Sequence, residues 1–184
     1  GIAGDLNNDE ALQNGMDSCD AVIHCAATVT QWGDPIEFHR INVTGTQQVI
    51  SACIAKSIPR LIHISTEAVR ANGKPIINAD ETRPRARKPA GLYPLTKGLA
   101  EQAVIQANSD TLSTIVLRPR FIWGKDDTVL LAEMTKTINS GGWAWFKGGH
   151  YLTSTCHIDN VVEGVLLALD KGEGGEIYFL TDGD

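Results

Sequence analysis

The sequence of 184 residues has no internal repeat, no low-complexity tract and no apolar run approaching the roughly 18 residues a membrane span requires. No charged-then-apolar leader is visible, which gives the expectation of a cytoplasmic protein with no membrane segment. Aromatic residues are scarce, at 6%. Cysteine is sparse too: Cys19, Cys25, Cys53 and Cys156 form no C-x-x-C pair and lie in or beside apolar segments. That spacing excludes a disulfide framework and a zinc knuckle, and suits reduced, buried thiols. Basic charge is outweighed, with 16 Lys and Arg against 22 Asp and Glu for a net charge of −6, so a nucleic-acid partner is excluded. The one basic run, Arg83, Arg85, Arg87 and Lys88, is interleaved with Pro84 and Pro89 and reads as a solvated loop. What is present is ordinary for a globular domain: 42% hydrophobic and 21% charged residues, in a length that suits one domain burying about 70% of its unfolded surface.

Apolar runs of strand length alternate with segments of helical period, the mark of a parallel sheet with crossover helices. Residues 21–27 read as a buried strand after a short amphipathic helix at 9–16. Residues 35–56 read as one long helix with Ile41, Gly45, Val49, Ala52 and Cys53 near one face. Residues 60–65 form a second strand, apolar apart from His63 and so buried on both faces. An Arg- and Pro-rich loop at 71–91 leads to a helix at 93–108 and a third strand at 113–118, which Pro119 stops. Beyond Trp123 the pattern changes: helices are expected at 130–140 and 159–170, a last strand at 177–180, and an aromatic stretch with Trp143, Trp145 and Phe146 lies between glycine pairs.

Tyr93 and Lys97 stand at i and i+4 of the predicted helix, on one face and one turn apart. A nearby ammonium favours the phenolate and draws a tyrosine pKa down from about 10 toward the range useful for proton transfer. Ser65 and Thr66 close the second strand at its carboxyl end, where open α/β sheets place their ligands. A hydroxyl there can hold a substrate carbonyl or alkoxide, or simply satisfy backbone groups. Small residues at Ala26, Ala27 and Thr28 would allow a ligand close to the backbone. Cys156, His157 and Asp159 do not make a metal site, because adjacent residues on a strand point to opposite faces.

The order and spacing of these segments resemble the extended branch of the short-chain dehydrogenase/reductase superfamily, the NAD-dependent epimerase/dehydratase and 3β-hydroxysteroid dehydrogenase-like proteins, over nearly the whole chain. The resemblance rests on Gly4-Asp5-Leu6, residues 20–27, Asn42-Val43-Thr44-Gly45-Thr46, His63-Ile64-Ser65-Thr66, Tyr93 to Lys97, Leu117-Arg118-Pro119 and His157 to Val161. It implies a Rossmann-type doubly wound parallel sheet, truncated at the N-terminus, with a partial dinucleotide-binding domain over 1–125 and a small substrate-side elaboration over 126–184. It implies NAD or NADP as cofactor and a small-molecule substrate. Position by position, Asp5 and Leu6 would contact adenine, and Ala26, Ala27 and Thr28 would line the ribose and pyrophosphate. Thr66 would be the catalytic hydroxyl, Tyr93 the general acid/base, and Lys97 the residue that holds the nicotinamide ribose and lowers the tyrosine pKa. Pro119, Arg120 and Phe121 would sit by the nicotinamide, and Asn42 would serve structurally. Family members commonly dimerise through the helices containing Asn42 and Tyr93, which implies a homodimer.

Departures narrow the reaction. Dehydratases of this branch carry Thr-Asp-Glu where this chain has Thr66-Glu67-Ala68, so water elimination is disfavoured. Val69-Arg70-Ala71 replaces the epimerase-like V-Y-G. Trp32, Trp123, Trp143, Trp145 and Phe146 would suit an apolar, sterol-like substrate or ordinary packing, and Glu67, His24 and His63 could touch substrate or simply pack. The expected function is hydride transfer between nicotinamide and a secondary alcohol or ketone. A nucleotide-sugar epimerase and a non-catalytic NAD(P)-binding regulator remain as alternatives. The glycine-rich phosphate loop of the family is absent from these residues. This polypeptide is therefore expected to bind cofactor poorly and to expose the edge of the strand that begins at Ala21.

Overall fold

The computed structural model describes residues 1–30 and 32–183, the side chains at 146 and 147 apart. In chain order the elements are α1 (Asp9–Gly15), β1 (Val22–His24), α2 (Pro35–Phe38), α3 (Gly45–Ala55), β2 (Arg60–Ile64), α4 (Leu92–Gln106), β3 (Ser113–Pro119), β4 (Ile122–Trp123), α5 (Leu130–Asn139), β5 (Cys156–His157), α6 (Ile158–Lys171) and β6 (Ile177–Leu180). A four-stranded sheet runs in the order β1-β2-β3-β6, every pairing parallel, and β4 and β5 form a two-stranded parallel ribbon beside it.

Strand alternation divides the core between the two faces of the sheet. Leu61 and Val116 pack with Val49, Ala52, Cys53 and Val104 of α3 and α4. Ile62, Ile115 and Leu117 point the other way, onto Ala168 of α6 with Val165 and Leu169 beside it. Because both faces are covered, β2 and β3 carry nearly continuous apolar runs. Burying each such side chain contributes about 1.5–3 kcal/mol.

Local chemistry sets the helix starts. Asn8 accepts from the Ala11 amide to cap α1, and Asp34 caps α2 with Pro35 at the first helical position. Asp127 accepts the amides of Val129, Leu130 and Leu131 at the start of α5. Gly91 precedes α4 at φ +115°, a conformation that side chains resist. Gly45 admits Leu6, whose Cδ1 lies 2.9 Å from where a Cβ would stand.

Four expectations need correction. The strand at 21–27 shrinks to Val22–His24, because residues beyond His24 have left the ladder at the sheet's ligand-facing end; β1 is the edge strand, with Ile23 45% exposed. The helix at 35–56 is interrupted by a π turn over His39–Thr44, whose inserted residue buries both Asn42 and Val43. Residues 1–5, which the resemblance would set near the end of a sheet strand, have no ladder partner and no regular structure. Only Cys53 and Cys156 are buried; Cys19, in the turn after α1, and Cys25, just past the edge strand, are exposed.

Candidate active site

The carboxyl ends of the parallel strands converge on one edge of the sheet, the place where such sheets bind ligands. Ala26–Thr28 follow β1, Ser65–Glu67 follow β2, and Arg120 and Phe121 follow β3, while α4 delivers Tyr93 and Lys97.

Two neighbouring hydroxyls are separated by the sheet's alternation. Ser65 turns inward: it is buried, and its Oγ donates to Glu101 Oε2 at 2.7 Å. Thr66 stays at the surface of the site, its Oγ1 accepting from the Ala68 amide at 3.2 Å and capping a single 3₁₀ turn over Glu67–Arg70. Burial raises the pKa of the Tyr93 phenol, a push that the Thr66 side chain opposes in part. The net direction is upward. Proximity to Lys97 does not lower it as the sequence spacing suggests, because the ammonium is turned away. Lys97 Nζ donates to the Ile64 carbonyl at 2.6 Å and lies 3.5 Å from His63 Nε2. Burial holds the Lys97 pKa at about 8, with Glu101 and Cys25 opposing that fall.

Behind Lys97 two buried imidazoles, His24 and His63, pack at a tilt of 40° with centroids 5.2 Å apart. The single Thr46 hydroxyl proton goes to the Asn42 carbonyl at 2.7 Å, so His24 Nε2 is the donor in its 3.0 Å contact with Thr46 Oγ1. Burial and the Lys97 charge keep both rings neutral: His24 falls to about 4 and His63 well below its ordinary value. His63 Nδ1 has no partner.

Asn42 fixes the segment after β1. Its Oδ1 accepts the Thr28 amide at 2.7 Å, and its Nδ2 donates to the Thr28 carbonyl at 3.1 Å and to Thr96 Oγ1 at 3.0 Å. The structural role expected of Asn42 is thus a clamp joining that segment to α4. Ala27 and Thr28 are half-buried and Ala26 exposed.

Glu67 and Arg120 form an ion pair at 2.6 Å that ties the ends of β2 and β3 together. Arg120 also donates to Thr153 Oγ1 at 3.2 Å, and its guanidinium lies 4.6 Å from the Phe121 ring centroid. Pro119 closes β3 opposite Leu180. Asp5 accepts from the Asn7 amide and side chain and from Arg40, contacts that hold its carboxyl below the usual range, while Leu6 packs on Gly45; no hydrogen bond joins Asp5 to Thr66, Tyr93 or Lys97. Trp32 is 86% exposed before α2. Trp123 Nε1 is committed to Asp182 Oδ2 at 2.8 Å, its ring edge-on to His157. Trp143 and Trp145 contact each other edge-on at 5.4 Å, and the Phe146 side chain lies outside the described residues. No group of three metal-ligating side chains occurs among the described residues.

The charged cluster beneath the site is absent from the sequence reading. Glu101 accepts from Ser65 and takes Arg118 in a two-pronged ion pair, Nε at 2.9 Å and Nη2 at 2.6 Å, with both side chains fully buried. Arg70 is buried beside them, donating to the Asp80 and Glu81 carbonyls and lying 4.6 Å from the centroid of Phe179. An arginine within the apolar run of β3 is the one available signal, since such a charge demands a buried partner; nothing local marks Arg70.

A parallel α/β sheet with Thr66, Tyr93 and Lys97 about its carboxyl edge defines a Rossmann-type chain. The profile of the 3-beta hydroxysteroid dehydrogenase/isomerase family matches residues 1–182, and the chain belongs to that family. It is 49% identical over 182 residues to the 4-hydroxy-2-methyl-3-oxo-4-farnesyl-3,4-dihydroquinoline-1-oxide ketoreductase of Stigmatella aurantiaca, covering 99% of this chain and 54% of that protein. It is 34% identical over 191 residues to a 2-alkyl-3-oxoalkanoate reductase of Stenotrophomonas maltophilia, covering 100% of this chain and 58% of the relative. The chain therefore spans little more than half the length of these relatives. Among solved structures, the dTDP-glucose 4,6-dehydratase DesIV of Streptomyces venezuelae, crystallised with NAD and TYD, superposes with a TM-score of 0.81 at 22% identity over 96% of this chain and 56% of that one. That likeness establishes the Rossmann-type fold.

Proposed function

We propose that the protein is an NAD(P)-dependent reductase that converts a ketone to a secondary alcohol, with Thr66, Tyr93 and Lys97 as its catalytic group. The observation that carries this reading is Tyr93, a phenol raised in pKa by burial at the ligand edge of the sheet, with the Thr66 side chain acting on it. A phenol kept protonated is a proton donor, which is what reduction of a carbonyl needs.

The residues present fit the nicotinamide half of a dinucleotide. Lys97 Nζ has three donors, of which one is used at Ile64 and a second faces His63, leaving one for a ribose hydroxyl. Alanines at 26 and 27 leave the adjacent backbone open to a ligand, and Asp5 and Leu6 would face the adenine end. When bound, the cofactor supplies the hydride to the carbonyl carbon. Thr66 would donate a hydrogen bond to the carbonyl oxygen, Tyr93 would transfer its proton to that oxygen as negative charge develops, and Lys97 would hold the nicotinamide ribose. Ketone, hydride and proton together give the secondary alcohol. Pro119, Arg120 and Phe121 would flank the nicotinamide, and Glu67, Trp32 and Trp123 the substrate.

Residues 126–184 would form the substrate-side region and 1–125 the cofactor-side one. Leu95 and Leu99, exposed one turn apart on α4, and exposed Ile54 on α3 support a homodimer through those helices. No helix among the described residues is long and apolar enough to cross a membrane, and a cytoplasmic location remains part of the proposal. Incubating the protein with NADH or NADPH and a panel of apolar ketones tests the reading: coenzyme oxidation equimolar with secondary alcohol supports it, and epimerised sugar nucleotide with no net coenzyme turnover contradicts it.

A further inference from the structure

We infer that the Glu67–Arg120 pair is a charge filter that reserves the site for uncharged ketones and turns away keto acids; this rests on the ketone-reduction reading above. Arg120 is the cation that follows β3 at the ligand edge, and Glu67 is the residue after the candidate catalytic Thr66, so both stand where a substrate's substituents would lie. An arginine in such a place ordinarily recruits a carboxylate or phosphate through its planar fork. Here two of the three guanidinium nitrogens are already engaged. Nη1 holds Glu67 Oε2 at 2.6 Å, Nε holds Thr153 Oγ1 at 3.2 Å, and the guanidinium plane rests by the Phe121 ring.

Glu67 is a built-in substitute for a substrate anion. Its side chain is only 13% exposed against 31% for Arg120, so the acidic member is the more shielded of the two and is held in place by the turn that Thr66 caps. An incoming carboxylate would have to displace a close, partly desolvated partner of the same sign and would then lie beside it. Like charges at such range disfavour the acid against its neutral ester. A neutral carbonyl compound meets no such opposition, because the pair presents no net charge.

The test compares 3-oxodecanoate with its methyl ester, which differ in charge and hardly in carbon skeleton, in the unmodified protein, Glu67→Gln and the double variant Glu67→Gln/Arg120→Gln. The ester is the better substrate of the unmodified protein. Glu67→Gln raises the acid-to-ester ratio of kcat/KM by about tenfold or more, and the double variant removes that gain. A ratio unchanged in Glu67→Gln, both substrates falling together, marks the pair as a mere strut between strands and overturns the inference; so does an unmodified protein that prefers the acid. Calorimetric binding of decanoate gives a second readout independent of turnover, with affinity about tenfold higher in Glu67→Gln than in the unmodified protein and equal affinities counting against the filter. Absence of turnover with either ketone, alongside the binding change, would fault the reductase reading and leave the charge filter standing.

Discussion

Replacing Glu101 by glutamine should be among the most destabilising isosteric changes available to this chain. Three polar contacts converge on its carboxylate, one from Ser65 and two from Arg118, in a region sealed from water. Arg70 lies close enough to Arg118 for the two cations to repel, and both guanidinium groups flank the ring of Phe179, at 4.6 and 5.8 Å from its centroid. Glu101 is the anion buried with both cations, so losing it leaves Arg118 uncompensated and Arg70 with Glu81 and Asp80 alone, whereas losing Arg118 leaves one of each sign. Breaking a buried pair costs about 3–5 kcal/mol, a large part of the roughly 5–15 kcal/mol that holds a domain folded. With a urea slope of about 2 kcal/mol per molar, Glu101→Gln should lower the unfolding midpoint by about 2 M. Arg118→Met should cost less, because Ser65 still donates to the carboxylate and a carboxyl group left unpaired can take up a proton. Glu101→Met combined with Arg118→Met should recover much of the loss, since apolar packing can replace a buried pair. Urea denaturation of the three variants decides the matter. A Glu101→Gln cost below about 1 kcal/mol, or a larger loss for Arg118→Met, refutes the reasoning.

Two other residues offer sharp tests. Asn42→Ala removes both hydrogen bonds by which that side chain holds Thr28, so the protein should lose about 1–3 kcal/mol of stability, and amide exchange at Thr28 should accelerate; unchanged exchange there would deny the clamp. Lys97 has a folded pKa of about 8 against its ordinary 10.5. Between those values the unfolded chain holds a proton that the folded chain has released, so stability should rise with pH across that window by about 3 kcal/mol from this residue. Lys97→Met should flatten the rise, which denaturation at several alkaline pH values will show.

The architecture was legible where periodicity and composition act locally. The apolar runs marked β2, β3 and β6, and the helical spacing marked α1, α4 and α6, because a strand buried on both faces or a helix packed on a sheet writes its environment into consecutive residues. The π turn at His39–Thr44 was invisible, since one inserted residue leaves no trace in a 3.6-residue period. The spacing of Tyr93 and Lys97 correctly put both on α4, but i and i+4 does not say where a flexible lysine ends; the half-buried Ile64 carbonyl at the end of β2 captured it. The choice of Thr66 over Ser65 fits the observed alternation at the end of β2. The association of Glu101 with Arg118 and Arg70, and of Glu67 with Arg120, joins residues on separate elements and depends on tertiary contact alone. Exposed Cys19 and Cys25 follow from position, one in a turn and one just beyond an edge strand, which neighbouring apolar residues do not disclose.

The most direct test of the proposed chemistry is the turnover of Tyr93→Phe, measured alongside its affinity for the nicotinamide coenzyme. Removing one phenolic oxygen leaves the ring's packing, Lys97 and the segment after β1 in place, so coenzyme affinity should hold within about twofold while kcat for ketone reduction falls by about a hundredfold or more. A variant that reduces ketones at the unmodified rate would contradict the account.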